Sequence, residues 1–319
     1  MKIDLTDTNA SKINKALIEG RRAIGTPAVG MVLTLVIVTD EENAYDALKA
    51  ATDASREHPS RTLVVIKRHA RSPRDRHGTR LDADVRVGTD AGAGETVLLR
   101  LHGELTDRAD SVVLPLLLPD APVVVWWPVD APAVPAKDPL GALAQRRITD
   151  AYAVERPLQE LEARSAGYAP GDTDLAWTRL TPWRSMLAAA LDQSRAAVTS
   201  AVVESEAENP SAELLARWFV NRLGVPVEKV VTDGPVITAV RLRTADGEIH
   251  IDRPAGPVAR LSIPGQPSRV LALKVRTTAE LIAEELRRLD PDEAYCAALH
   301  TTVTELGPPG GTAGAAAAS

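Results

Sequence analysis

Ile13, Ala16, Leu17 and Gly20 recur with a period near 3.6 and predict a helix over residues 10–22. The run GMVLTLVIVT, residues 30–39, is apolar and β-branched without alternation, as in a strand covered on both faces. Ala44, Ala47, Leu48 and Ala51 predict a second helix over 41–56, and TLVVIK at 62–67 is the next strand. Strand, helix and strand in that order predict a parallel pair with a right-handed crossover. DADVRVG (82–88) and ETVLLRL (95–101) read as strands joined by a glycine-rich turn. Residues 107–118 read as helical, and PVVVWW (122–127) as a further buried strand. Neighbours in a strand point to opposite faces, so Trp126 and Trp127 call for cover on both sides of the sheet. Residues 138–165 carry two short helical patterns around a strand at ITDAYAV. A helix over 182–193 follows, with Thr181 as its N-cap, Pro182 in its first turn, and Trp183, Met186, Leu187, Ala190 and Leu191 on its buried side.

The pattern then changes. TSAVVES (199–205) is a strand, and Asn209-Pro210 opens a helix that buries Leu214, Leu215, Trp218, Phe219 and Leu223 and stops at Gly224. Short strands follow near 227–232, 235–243, 247–252, 258–263 and 268–274, with Asp246-Gly247 as a hairpin turn. Thr277 and Glu280 form a capping box for a helix carrying Leu281, Ile282, Leu286 and Leu289. The fold class expected is α/β: a three-layer Rossmann-like domain with a mainly parallel sheet over 1–195, then a smaller α+β domain over 196–306. Residues 307–319 have no apolar pattern and read as a disordered tail.

Composition narrows the function. The 319 residues are 45% apolar and 25% charged, enough for a sizeable core, and 37 basic against 43 acidic residues leave a formal charge of −6. That balance argues against a nucleic-acid binder, which needs a positive face. Cys296 is the single cysteine, so neither an internal disulfide nor a cysteine-based zinc site can form; on a helix among Ala and Leu it reads as a buried small hydrophobe. The first residues lack an apolar signal core, and the apolar stretch 111–129 is broken by four prolines and Asp120. No membrane span and a cytoplasmic location are expected.

Motifs of catalysis are missing. Gly88, Gly92 and Gly94 follow a strand but lead into another strand, whereas a phosphate cradle needs a helix N-terminus behind it. Gly25 and Gly30 have P-loop spacing, but Met31 and Val32 stand where Lys and Ser/Thr are required. The six histidines form no HxxxH pair, and no GxSxG elbow exists. No cofactor, metal or catalytic residue is therefore expected. The basic segment 68–80 lacks aromatic residues to stack bases and reads as a solvated loop. His58, Ser60 and Arg61 in HPSR could hold an anion at the start of a strand, or serve turn chemistry with Arg61 paired to a carboxylate. DLAWTRLTPWR, residues 174–184, concentrates two tryptophans and two arginines in a chain with 3% aromatics. Trp183 falls on its helix's buried side. Trp177, Arg179 and Arg184, with Trp127, are candidates for contact with a protein partner; alternatively Trp177 packs inside the fold and Arg179 pairs with Asp174 or Asp172.

Together, HPSR (58–61), LDADVRVGTDAGAGETVLLRLHGEL (81–105), LPLLLPDAPVVVWWP (114–128), DLAWTRLTPWR (174–184), PSAELLARW (210–218) and LDPDEAY (289–295) resemble the glucose-6-phosphate dehydrogenase assembly proteins, the OpcA family of actinobacteria and cyanobacteria, in its actinobacterial form. The resemblance implies a non-catalytic partner and allosteric activator of the NADP-dependent glucose-6-phosphate dehydrogenase, at the entry of the oxidative pentose phosphate pathway. Cyanobacterial members are linked to thioredoxin through cysteines, and a chain with Cys296 alone departs from that. The alternatives are an α/β enzyme or binding protein for a phosphorylated metabolite, with His58, Arg61 and the Gly88–Gly94 turn at its site, and an RNA binder using 68–80.

Overall fold

The computed structural model describes residues 1–25, 30–68, 78–91, 94–194, 196–253 and 256–303. Arg71, Arg74 and Arg76 of the basic segment, Gly92, and the tail 307–319 lie outside the described residues. The chain forms two units, one of Met1–Arg179 with Arg276–Asp292, the other of Leu180–Val275 with Glu293–Ser319. The division falls at 179 where the sequence reading put it near 195.

In chain order the first unit runs β1 (Lys2–Leu5), α1 (Ala10–Ile24), β2 (Leu33–Thr39), α2 (Ala44–Ala54), β3 (Ser60–Arg68), β4 (Arg80–Val87), β5 (Glu95–His102), α3 (Ala109–Val113), β6 (Val123–Trp126), β7 (Arg146–Thr149), α4 (Pro157–Gly167), β8 (Asp172–Asp174) and α5 (Leu175–Thr178). The second unit continues with α6 (Thr181–Leu191), β9 (Val198–Ser205), α7 (Pro210–Leu223), β10 (Val227–Val231), β11 (Ile237–Thr244), β12 (Gly247–Asp252), β13 (Val258–Ser262) and β14 (Arg269–Ala272). Then α8 (Thr278–Arg287) returns to the first unit and α9 (Glu293–Leu299) to the second.

The first unit is a three-layer α/β structure. Its eight-stranded sheet has the order β1-β4-β5-β3-β2-β6-β7-β8, with β5 through β8 parallel and β4 and β1 antiparallel at one edge. All seven residues of β2 are buried, which is why that run lacks alternation. Trp127 joins the core on one face with Ile13, Leu17, Val36 and Val113, and Trp126 joins the other with Leu35, Ile37, Ala47 and Ala51. Leu281, Ile282 and Leu286 of α8 complete that second face. The capping box of Thr277 and Glu280 forms as the sequence indicates, but its helix covers the parallel sheet rather than belonging to the α+β unit.

Other differences are local. Pro115 ends α3 after five residues and the chain turns into a short 3-10 segment. Thr181 is the first residue of α6 rather than its cap; Leu180 stands at the cap position and makes no side-chain cap bond. Strands β1 and β8 were not anticipated, since KIDL and DTD carry no apolar run.

The second unit is α+β. Its sheet has the order β10-β9-β11-β12-β13-β14, antiparallel except for the parallel β9–β10 pair that α7 connects. Asn209 caps α7 by accepting from Ala212 N, and Gly224 closes it with φ 65°. Leu214, Leu215 and Phe219 on the helix and Val203, Val240, Leu242, Ile249 and Ile251 on the strands are buried. Along β12 the alternate residues Glu248, His250 and Asp252 are only half-buried. Cys296 on α9 is half-buried rather than buried, with its Sγ 3.7 Å from His300 Nδ1.

Candidate functional site

In the first unit β3 lies on one side of β2 and β6 on the other, so the strand order reverses beside β2. Open α/β sheets bind ligands outside the carboxyl ends of their strands at such a point. Here a cavity of about 370 Å³ lies there, walled by Val38, Trp127 and Val129. Its polar groups are Thr39 and Asp40 at the end of β2, Lys67 of β3, Asp130 beyond β6, and Asp138. Asp150 and Asp174, at the ends of β7 and β8, line a much smaller adjoining pocket that shares Trp127, Val129 and Asp130.

A dinucleotide site at this position needs a glycine-rich first turn whose helix N-terminus faces the pyrophosphate. The turn after β2 reads Asp40-Glu41-Glu42-Asn43 instead. Asp40 Oδ1 accepts a hydrogen bond from the Asn43 backbone N–H at 2.7 Å, and both its oxygens accept from Asn43 Nδ2 at 3.0 Å. The amino end of α2 thus already holds a carboxylate of its own, which repels a second anion.

DLAWTR (174–179), the part of the Trp/Arg-rich segment within the first unit, starts at the same edge with a buried acid. Asp174 accepts from Thr149 Oγ1 at 2.6 Å, from Ala176 N at 2.8 Å and from Ala151 N at 3.1 Å. Burial pushes its carboxyl up, and the charge of Asp150 adds to that, against those hydrogen bonds. Glu285 of α8 is likewise pushed up by burial, against Arg146 and the Thr178 hydroxyl, which donates to it at 2.6 Å. Trp177 is 1% exposed, and its Nε1–H donates to Asp292 Oδ2 at 2.9 Å. Arg179 makes two bonds to Asp150, at 2.8 and 2.9 Å, and lies 4.5 Å above the centre of the Tyr152 ring. Its partner is Asp150, not Asp174 or Asp172.

The partner-contact candidates therefore separate. Trp177 and Trp127, 1% and 2% exposed, are core residues and offer no ring surface to another protein. Arg179 keeps about a quarter of its side chain accessible. Arg184 on α6 is half-buried and reaches Thr181 Oγ1 at 3.2 Å. Trp183 is buried, with the Arg253 guanidinium 6.0 Å from its ring centre.

HPSR is structural as well. Arg61 is 6% exposed and donates to Glu95 Oε2 through Nε and Nη2, at 3.0 and 2.8 Å, and to the Leu116 carbonyl through Nη1 at 2.8 Å. Arg21 holds the other oxygen of Glu95 at 2.8 Å. The anion expected at Arg61 is thus supplied by the chain itself. Ser60 Oγ and His58 Nε2 are buried without a hydrogen-bond partner among the described residues. Gly94 fits because its α-carbon lies against this strand: a Cβ there would stand 1.9 Å from the Ser60 carbonyl oxygen. Among the described residues no cluster of three His, Cys, Asp or Glu could hold a metal ion.

The sequence reading missed Asp40, Lys67, Asp130, Asp138 and Asp150. Each is an ordinary residue in the chain. The available signal was position, because Asp40 directly follows one predicted parallel strand and Asp130 stands three residues after another.

No helix among the described residues is long and apolar enough to cross a membrane. Among curated proteins none matches the sequence. Solved structures with similar backbones include a 3-ketoreductase from Actinomadura kijaniata (13% identity, 84% of this chain and 94% of that one, TM-score 0.45). A biliverdin reductase from Synechocystis is also similar (13% identity, 85% and 96%, TM-score 0.37). Residues 51–166 match the family described as the glucose-6-phosphate dehydrogenase subunit N-terminal domain, and residues 170–299 match the corresponding C-terminal domain. With both domain families matched in order, the chain belongs to the glucose-6-phosphate dehydrogenase assembly family, OpcA.

Proposed function

We propose that this chain is a non-catalytic assembly factor and allosteric activator of the NADP-dependent glucose-6-phosphate dehydrogenase of the oxidative pentose phosphate pathway. Membership of the assembly family supports the partner. The observation that carries the non-catalytic part is Asp40 bonded at the amino end of α2, where a Rossmann-like oxidoreductase would receive its dinucleotide phosphates. The same acidic edge speaks against the alternative, an enzyme or binding protein for a phosphorylated metabolite.

An activator must bind the active form of its partner better than the inactive form. A tenfold shift takes about 1.4 kcal/mol of differential affinity. Coupling is reciprocal, so glucose 6-phosphate bound to the dehydrogenase tightens the complex. Arg179 and Arg184 remain the contact candidates. The test is co-purification with the dehydrogenase of the same organism, followed by kinetics with and without this chain. Activity rises at subsaturating glucose 6-phosphate, and the chain alone turns nothing over. Arg184→Ala weakens the complex by about 2 kcal/mol if it is a hot spot, with the melting temperature unchanged. Unaltered dehydrogenase kinetics across a wide range of ratios would remove the proposal.

A further inference from the structure

We infer that the polar face of the six-stranded sheet in the second unit binds the same face of a second copy of this chain, forming a two-fold symmetric dimer. Helix α7 packs on β9 and β10, and residues turned to its side, such as Val203, Val240 and Leu242, are buried. The alternate residues form the opposite face. One row across it runs Val230, Glu204, Ala239, Asp252, Arg260 and Val270, in the order of the strands from β10 to β14. A second row sets Arg241 beside His250, and a third Arg243 beside Glu248. Charge is thus sorted by strand. Glu204 on β9 is acidic, Arg241 and Arg243 on β11 are basic, Glu248 and Asp252 on β12 are acidic, and Arg260 on β13 is basic. Arg243 and Arg260 are exposed and have no ion-pair partner among the described residues, and Val270 is 67% exposed.

This alternation is complementary to its own two-fold image. An axis along the strands, midway between β11 and β12, lays β11 over the other copy's β12, β9 over its β13 and β10 over its β14. Rotation about that axis keeps each residue at its own height along the strands, so each row meets itself. Arg243 then faces Glu248 of the other copy, Glu204 faces its Arg260, and Val230 faces its Val270. Arg241 comes over His250 between the acidic Glu248 and Asp252. Each contact occurs twice, as a closed isologous interface requires. Sheets packed face to face lie about 10 Å apart, a gap that arginine and glutamate bridge from the two sides. An axis moved onto β11 sets Arg241 and Arg243 against their own copies and Glu204 against Glu248 and Asp252, which is repulsive. The charges therefore select both the second copy and its register.

The inference stands apart from the assembly reading, because the dimer is read by sedimentation of the isolated full-length chain with no dehydrogenase present. The wild type passes from monomer to dimer as its concentration rises to about 100 µM, and added salt shifts it back. Arg243→Glu sets an acid against Glu248, and Glu248→Arg sets a base against Arg243. Each raises the dissociation constant roughly tenfold or more. Mixing the two variants restores the dimer, because the acidic face of one meets the basic face of the other. A purely intrachain role cannot do this, since positions 243 and 248 still carry like charges within each chain. Arg260→Glu mixed with Glu204→Arg behaves in the same way and supplies a second, independent pair. All four side chains lie on the polar side of the sheet, so circular dichroism of each variant matches the wild type. A chain that stays monomeric over this range overturns the inference. So does a dimer indifferent to both pairs of reversals, or a failure of both pairs to complement when mixed.

Discussion

The two sheets place their charges differently. In the parallel sheet of the first unit both faces are covered, and charged groups at both ends of β7 and β8 are buried inside the fold: Arg146 with Glu285 and Arg147 with Asp172 at the amino ends, and Asp174 among backbone donors at the carboxyl end. In the second unit one face of the sheet is apolar, and the other carries half-exposed pairs such as Arg241 with Glu204 and Glu248, at 2.6 and 3.3 Å. A buried pair is costly to break, because removing one member leaves the other charged and unsolvated. An exposed pair contributes little. The first unit thus uses its polar residues to fix geometry, while the second leaves them where another protein can compete for them.

Trp177→Ala tests the contrast most strongly. It opens a cavity in the first unit and removes the indole N–H that donates to Asp292, at about 3–5 kcal/mol by denaturant titration. Protein that remains folded still stimulates the dehydrogenase; loss of stimulation at unchanged stability would return Trp177 to the interface. Glu285→Ala strands Arg146 and the Thr178 hydroxyl, with an expected loss of roughly 3–5 kcal/mol. A cost below about 1 kcal/mol would show that this pair is solvated in solution.

Asp174→Asn sharpens the comparison through pH. The folded carboxyl titrates above its ordinary value of 3.8, so over that window the native state holds more protons than the unfolded chain. Wild-type stability contributed by this group therefore falls as pH rises from about 4. Asparagine does not titrate, so the variant gains on the wild type with rising pH in urea midpoints taken from pH 4 to 7. A difference that stays flat, or shrinks, breaks the argument. The smallest effect belongs to Arg241→Ala in the second sheet, at most about 1 kcal/mol and fading with added salt.

Much of this architecture was legible because period and terminator agreed. The unbroken run of β2 marked a doubly covered strand, and Asn209-Pro210 with Gly224 bounded α7 within a residue. Strand β8 was not legible: Asp-Thr-Asp looks like a loop until Thr149, Ala151 and Ala176 supply the donors that let it be buried. A capping box and an apolar stripe establish that α8 is a helix, but not which sheet its stripe meets. The candidate site was the least readable part, because Asp40, Lys67, Asp130 and Asp138 come from separate strand ends and only the strand order gathers them.

The late position of α8 has a consequence for how the protein is made. The first unit's strands and α2 leave the ribosome early, yet Leu281, Ile282 and Leu286, which seal one face of its core, follow only after the whole β-rich stretch Leu180–Val275. At ordinary synthesis rates that is a wait of roughly 5–20 seconds. Throughout it the nascent chain carries an uncovered apolar groove over Ala47, Ala51 and Leu35. A bound chaperone, or a stop codon anywhere before residue 276, would act on the first unit through that groove, so that truncations in the second unit are expected to emerge as aggregates of the first.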